Sequence, residues 1–363
     1  MSAHPMLSPS QTTRFRRKLL EWFRANKRDL PWRKQKDWYP VYLAEIILQQ
    51  TTVEQGLPYY RAFIRRFPHV SALAAADLQE VLKLWQGLGY YARARNMHKA
   101  AGILTDRYGG CFPQDYKQAL ALPGIGPYTA AAILSQAFNR VHAVVDGNVS
   151  RVITRLLALE DDIRRADTQK RIQHVAGLLI SRKYPGDFNE AMMELGALVC
   201  TPRAPLCASC PVSRYCRARD LGKAAQIPYK SPAAPKRRQY HLVMIREREN
   251  RILLRQGNDH GLLAGMWGFP VRVVSGKELE QPGKIEQMAP DGLHTKKISP
   301  PMRHVYSHID LKYRVVWLEE RPENRDDDKK NLWLARHELE HYPIHKAHLK
   351  ALHWLDQQMK EAD

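Results

Sequence analysis

Four cysteines, Cys200, Cys207, Cys210 and Cys216, follow the pattern Cys-x6-Cys-x2-Cys-x5-Cys in a chain of 363 residues that has five cysteines in all. Thiols so close in sequence must converge on one small object. They therefore read as ligands of a metal centre and not as a disulfide frame. Spacing alone admits a zinc ion or an iron–sulfur cluster. The fifth, Cys111, reads as a small buried or half-buried residue. Two carboxylates also have neighbours that bear on their chemistry. Glu45 lies in Tyr42-Leu43-Ala44-Glu45-Ile46-Ile47-Leu48, where apolar flanks would desolvate the carboxyl, raise its pKa and keep a proton available. Asp146 follows Val144-Val145 and precedes a helical stretch through Arg151, Ile153 and Leu156. At that N-cap, backbone N–H groups and the positive helix end favour the ionised form. Each has an ordinary reading as well, a solvent-facing glutamate and a plain cap.

The elements that must position these groups are helical at first. Apolar residues recur at helical spacing in Val41 to Gln50, Val53 to Phe67 and Leu78 to Trp85, and the pattern of short helices and tight turns persists over the first 220 residues. One motif repeats: Gln86-Gly87-Leu88-Gly89-Tyr90-Tyr91-Ala92 can be laid over Pro123-Gly124-Ile125-Gly126-Pro127-Tyr128-Thr129. Both are Gly-apolar-Gly turns between helices. Glycine permits the backbone angles of the turn, and the following helix presents free N–H groups suited to a phosphate. The second copy is better formed, because Pro127 suits a first helical turn.

Beyond residue 221 the pattern stops. Pro228, Pro232 and Pro235 with Lys230, Lys236, Arg237 and Arg238 make residues 222–239 a basic, extended linker. Tyr240 to Ile245, Arg251 to Arg255 and Leu311 to Leu318 then have the length and β-branched or aromatic content of strands, and Ala347 to Met359 returns to helical spacing. The run Asp326 to Lys330 reads as a solvated loop. Lys and Arg number 57 against 37 Asp and Glu, and this excess of twenty positive charges favours a polyanionic partner through counterion release. No apolar run approaches the roughly 18 residues of a bilayer span, and Met1 to Pro9 lacks a signal-peptide layout, so a cytoplasmic, nucleoid-associated protein is expected. No heptad seam is evident, and a monomer is the default.

Three segments together carry a family resemblance. Leu122-Pro123-Gly124-Ile125-Gly126-Pro127-Tyr128-Thr129-Ala130 resembles the helix-hairpin-helix of the endonuclease III superfamily of DNA glycosylases, which grips the DNA backbone. Glu45-Ile46-Ile47-Leu48-Gln49-Gln50-Thr51 resembles the Glu-x-x-Leu-Gln-Gln-Thr segment of the adenine DNA glycosylase (MutY) family. The cysteine spacing is similar to that of the endonuclease III type of 4Fe-4S cluster. The resemblance implies that Glu45 protonates the departing base and that Asp146 is the catalytic aspartate. Adenine leaves poorly until a ring nitrogen is protonated, and the sugar left behind has oxocarbenium character, so one acid and one anion are required. It further implies that Asn148 positions the sugar or Asp146. Arg203, Arg214, Arg217 and Arg219 crowd the cysteine loop, which suggests a DNA-contacting surface shaped by the cluster, the alternative being solvated arginines that balance a thiolate cluster. Bifunctional endonuclease III relatives carry a lysine where this chain has Tyr128. A phenol cannot form an imine, so a monofunctional glycosylase is expected, with Tyr128 hydrogen-bonding near Glu45.

The same resemblance distributes the lesion contacts. Gln50, Thr51, Leu88 and Tyr90 fall around the unflipped opposite base, with Val53 as a candidate wedge, while Trp32, Arg33 and Glu190 fall in segments lining the adenine pocket. Gly261-Leu262-Leu263-Ala264-Gly265-Met266-Trp267-Gly268-Phe269-Pro270 resembles the entry to a Nudix-type core. Val271 to Ile285 lacks the Arg-Glu-x-x-Glu-Glu pattern that holds magnesium, so the domain is expected to bind without hydrolysing nucleotides. Tyr306-Ser307-His308 resembles the aromatic-Ser-His loop that senses 8-oxoguanine, whose N7–H a serine hydroxyl can accept.

The expected architecture is an all-α helix-hairpin-helix domain with a 4Fe-4S cluster loop over residues 1–221, the linker 222–239, and an α+β Nudix-like domain over 240–363. The expected function is base excision repair of adenine opposite 8-oxoguanine or guanine in double-stranded DNA. A thymine-mismatch glycosylase and a non-catalytic iron–sulfur damage-binding protein are the alternatives.

Overall fold

Polar side chains at the starts of helices set the frame of the first unit. The computed structural model describes residues 7–35, 37–258, 261–320 and 330–361. Ser8 caps α1 (Pro9–Asn26) in a reciprocal box with Gln11, Asp37 caps α2 (Trp38–Ile47) and Thr52 caps α3 (Val53–Arg66). The short α4 (Val70–Ala74) and α5 (Leu78–Leu84) precede α6 (Ala92–Tyr108) and α7 (Tyr116–Leu120). The glycine turn of the hairpin then leads into α8 (Pro127–Phe138), followed by α9 (Gly147–Leu157), α10 (Ala166–Leu179), α11 (Pro185–Leu198) and α12 (Arg217–Asp220). The periodicity over Val41 to Gln50 overshoots: α2 stops at Ile47, and Gln50 adopts a left-handed φ of 55°.

By contacts the chain divides into one unit of residues 1–74 and 99–232 and a second of residues 75–98 and 233–363. The first has its core where α1, α9, α10 and α11 meet, through Phe15, Leu19, Phe23, Ile153, Ile172 and Leu195. Helix α2 is buried nearly all round, from Tyr39 through Ala44 and again at Ile46 and Ile47, so a single polar side chain on it is placed by everything around it.

Segment 75–98 belongs to the second unit for identifiable reasons. Trp267 Nε1 donates to Gln79 Oε1 at 2.9 Å, Gln79 Nε2 to the Gly265 carbonyl at 3.2 Å, and Arg95 to the Ala264 carbonyl at 2.8 Å. The rest of the unit is a mixed sheet. Its strands are β1 (Arg237–Arg248), β2 (Arg251–Gln256), β3 (Trp267–Gly268), β4 (Val271–Val273), β5 (Leu293–Ile298), β6 (Met302–Val305), β7 (Ile309–Glu320) and β8 (Asn331–Ala335). The order is β3-β2-β1-β7-β5, with β4 on β1, β6 on β7 and β8 on β2. Strands β1 and β7 run parallel in register from Arg237↔Ile309 to Glu247↔Glu319, and the other pairs are antiparallel. Alternation along β1 sends Val243 and Ile245 to a core closed by α15 (Lys346–Lys360), and Leu242 to a core closed by α13 (Gly276–Leu279) and α14 (Pro282–Gln287). Strand β1 begins at Arg237, inside the stretch read as linker. Of the run Asp326 to Lys330, all but Lys330 lies outside the described residues.

Candidate active site

Helices α2 and α8 and the cap of α9 enclose a cleft of about 580 Å³, lined by Glu45, Gln50, Gly124, Gly126, Tyr128 and Asp146 among others. Glu45 comes from the buried face of α2. Burial pushes its carboxyl up to about 7, the nearby charges of Glu190 and Asp146 act in the same direction, and hydrogen bonding from Tyr128 and Gln136 only partly opposes them. Gln136 Nε2 donates to Glu45 Oε1 at 3.1 Å. The Tyr128 hydroxyl donates to Met193 Sδ at 3.5 Å and stays protonated, because burial and the adjoining Glu45 charge raise its pKa well above that of a free phenol. At neutral pH the cleft therefore holds a glutamic acid able to give up a proton.

Asp146 is the N-cap of α9. Its Oδ1 accepts from the Val149 N–H at 2.7 Å and its Oδ2 from Asn148 Nδ2 at 2.9 Å. The cap is as expected, but its electrostatic consequence needs correction. Burial outweighs the cap, so the pKa lies above the ordinary aspartate value while these bonds and Arg151 resist the rise. The charge is costly here and is held by directed donors. Asn148 in turn accepts from Arg151 Nη2 at 2.8 Å, and Arg151 Nε reaches the Cys200 carbonyl at 2.7 Å.

The hairpin turn carries Gly124 at φ 78°, and α8 begins at Pro127 behind Gly126, a cap with no side chain to accept the first N–H groups. Thr51 and Val53 sit at the junction of α2 and α3, half-buried. Trp32, Arg33 and Glu190 are not among the residues lining the cleft. Trp32 is buried edge-on against Tyr60, with centroids 5.0 Å apart, and Arg33 pairs with Glu190 at 2.8 Å and Glu194 at 3.1 Å. Burial also opposes charge on Glu194, yet hydrogen bonds from Arg28 and Arg33 hold its pKa at about 2. Glu190, whose burial dominates over Arg33, shifts up.

Cys200, Cys207, Cys210 and Cys216 line one common cavity with Arg155 and Arg219. Arg155 is fully buried: Nε donates to the Ile227 carbonyl at 2.7 Å, and Nη1 to the Thr201 carbonyl at 2.7 Å and to Cys200 Sγ at 3.2 Å. Among the described residues no group of three or more His, Cys, Asp or Glu side chains is gathered as a single metal ion requires. Four thiols set around a cavity, with a buried cation beside one of them, suit a larger thiolate-bound group carrying negative charge. Arg203, Arg214 and Arg219 are exposed around this loop. Cys111 is exposed too, contrary to the buried reading, since it lies in the loop after α6 and not within a helix.

Within the second unit, Leu88 and Tyr90 meet the loop after β6. A cleft of about 250 Å³ is lined by Leu88, Tyr90, Tyr306, Ser307 and His345, and the Ser307 hydroxyl donates to the Tyr90 hydroxyl. His308 is exposed and is not among the lining residues.

Residues 43–177 match the model of the HhH-GPD superfamily of base excision DNA repair proteins, and residues 241–354 that of the NUDIX domain. The chain is similar to the adenine DNA glycosylase of Rattus norvegicus, 35% identical over 366 residues covering 85% of this chain and 71% of that protein. The adenine DNA glycosylase of Homo sapiens is 33% identical over 377 residues, covering 87% and 69%. The chain belongs to the adenine DNA glycosylase family. Among solved structures, a thermostable thymine-DNA glycosylase matches with a TM-score of 0.51 and 28% identity, covering 58% of this chain and 97% of that one. The adenine DNA glycosylases, covering 85% and 87% of the chain, run across both units.

As an adenine DNA glycosylase family member, the chain is a base-excision DNA glycosylase with a Nudix-like second unit, and among its described residues no helix is long and apolar enough to cross a membrane. Sequence reasoning missed the residues that hold the cleft together. Buried Asn189 on α11 donates to Ser135 Oγ and the His142 carbonyl, each at 2.8 Å, and accepts from the Val144 N–H at 3.2 Å, so it ties α8 to the segment leading into Asp146. No motif marked it, since α11 carries Asp187, Glu190 and Glu194 as well. Gly196 is similar: a Cβ there would lie 2.6 Å from Asn148 Cβ and 3.0 Å from its backbone. Gly196→Ala is expected to cost about 1–3 kcal/mol by overpacking, lowering the melting temperature by several degrees, and to slow base release by displacing Asn148. Calorimetry and single-turnover kinetics read the two effects, and an unchanged melting temperature would show that α9 and α11 have slack.

Proposed function

We propose that this chain removes adenine mispaired with 8-oxoguanine or guanine in duplex DNA and leaves the strand unbroken. The observation that carries the reading is a desolvated Glu45, poised near neutrality, sharing one cleft with a hydrogen-bonded Asp146. A flipped adenine in this cleft takes the Glu45 proton on a ring nitrogen, the N-glycosidic bond breaks toward the base, and the positive charge left on the sugar is met by Asp146. Asp146 acts either through its field or by a transient bond to the sugar, and water completes the hydrolysis in both cases. Asn148 keeps Asp146 oriented, through the bond from its Nδ2. Tyr128 supplies a phenol where an amine would be needed for a Schiff base, so no strand cleavage follows.

The hairpin around Gly124 and Gly126 grips a phosphate, and Gln50, Thr51 and Val53 approach the opposite base and its stack from the junction of α2 and α3. Trp32 with the Arg33–Glu190 pair backs the adenine side. Leu88, Tyr90, Tyr306, Ser307 and His308 read the opposite base, Ser307 accepting the N7–H of 8-oxoguanine. The four cysteines would hold a 4Fe-4S cluster, which when bound cross-links the loop bearing the exposed arginines. The second unit contributes recognition without nucleotide hydrolysis: where a magnesium-holding helix would stand, the chain has two short helices, α13 and α14.

The test uses purified protein and end-labelled duplex with A opposite 8-oxoguanine, A opposite guanine, T opposite guanine, or no mismatch, each analysed with and without hot alkali. Product from the adenine strand that appears only after alkali is the expected result. Breaks without alkali would overturn the Tyr128 argument, product from T·G would favour a thymine-mismatch enzyme, and tight binding without product would favour a damage-binding protein.

A further inference from the structure

Gln136 lies two turns beyond Tyr128 on α8, and its Nε2 donates to Glu45 Oε1 at 3.1 Å. An amide NH₂ only donates, so Oε1 must present a lone pair to it in either protonation state. A carboxylic acid carries its proton on one oxygen. With Oε1 engaged as acceptor, the proton is directed to Oε2. The backbone that carries Gln136 has no freedom to drift. Gly186 of α11 packs so closely that a Cβ there would lie 2.6 Å from the Ser135 carbonyl oxygen and 2.9 Å from Gln136 Cα, and Asn189 fastens Ser135 from the same helix.

We propose that Gln136 is a positioning residue for the reaction, holding Glu45 in one rotamer with its transferable proton on Oε2. This rests on the reading of Glu45 as the acid. The groups that face Glu45 are Tyr128 and Gln136 from α8, Asp146 from the cap of α9 and Glu190 from α11. Both carboxylates push the Glu45 proton on, and two neutral groups oppose them, Tyr128, which stays protonated through the working range, and Gln136, whose amide is fixed on Oε1.

The experiment measures single-turnover adenine release from the A·8-oxoguanine duplex between pH 5.5 and 9 for the unmodified chain, Gln136→Leu, Gln136→Met and Glu45→Gln, with melting temperature and duplex affinity alongside. Losing the donor disfavours the ionised form, so the alkaline fall in rate moves upward by about half to one pH unit in Gln136→Leu and Gln136→Met. The plateau rate falls several-fold as the carboxyl loses its fixed orientation, and duplex affinity is unchanged. A uniform rate loss with no displacement would reduce Gln136 to packing and overturn the proposal. A downward displacement would overturn it as well, since the amide would then face Glu45 with its oxygen. Full activity in Glu45→Gln would instead overturn the acid reading itself, an outcome separate from either.

Discussion

Glu45→Gln is expected to lower single-turnover adenine release by about 10²–10⁴-fold, the range general acid catalysis supplies, while duplex affinity stays within a few-fold of the unmodified chain. Glutamine keeps the shape and the acceptor that Gln136 addresses, but has no proton to give. The same substitution should stabilise the fold in a pH-dependent way. Folding raises the Glu45 pKa from 4.5 to about 7. Between those values the folded chain holds more protons than the unfolded one, so stability falls as pH rises through the window. The variant lacks this loss. Its advantage should be near zero at pH 4.5 and reach roughly 2–3 kcal/mol above pH 7, the full shift being reduced because the cleft leaves Glu45 partly open to water. Urea unfolding at pH 5 and pH 8 measures it. A pH-independent difference would mean that Glu45 is not desolvated, and persisting excision would remove it from the mechanism.

Asp146→Asn separates charge from capping. Asparagine is as good an N-cap as aspartate and can still accept from the Val149 N–H, so stability should stay within about 1 kcal/mol. The anion facing the developing sugar cation is gone, and release should fall by about 10³-fold, as when a preorganised electrostatic partner is deleted. Asp146→Ala should be equally slow and also lose about 1 kcal/mol through the missing cap. Single-turnover rates and melting temperatures of the two variants side by side decide the matter. Wild-type rates in Asp146→Asn would leave the residue a cap and nothing more.

Several features were legible in the chain itself because they depend on local sequence. Helix α3 (Val53–Arg66) and strands β1, β2 and β7 follow from periodicity and β-branched content, and the α9 start follows from Asp146 before an apolar-periodic run. Desolvation of Glu45 could be expected because its immediate neighbours are apolar, and on a helix buried all round no orientation of α2 would expose it fully.

What tertiary structure decided is where long-range contacts compete with local signals. The ionised form expected for Asp146 at a helix end is opposed by burial under elements far away in sequence, and burial has the larger effect. Segment 75–98 reads as one more part of a helical domain, yet the hydrogen bonds of Gln79 and Arg95 to residues 264–267 place it with the sheet. Cys111 reads as buried by residue type and is exposed by its loop. Gln136 and Asn189 carry no motif. Their importance arises from α8, α9 and α11 crossing at one place, a juxtaposition set by glycines at 186 and 196 that let backbones touch. The sequence by itself determined which residue types were available for acid, anion and thiolate chemistry, since these are properties of side chains and their near neighbours. Only the tertiary structure decided the protonation tendency and partner of each, because electrostatic energy depends on what burial brings within a few ångströms, whatever the separation along the chain.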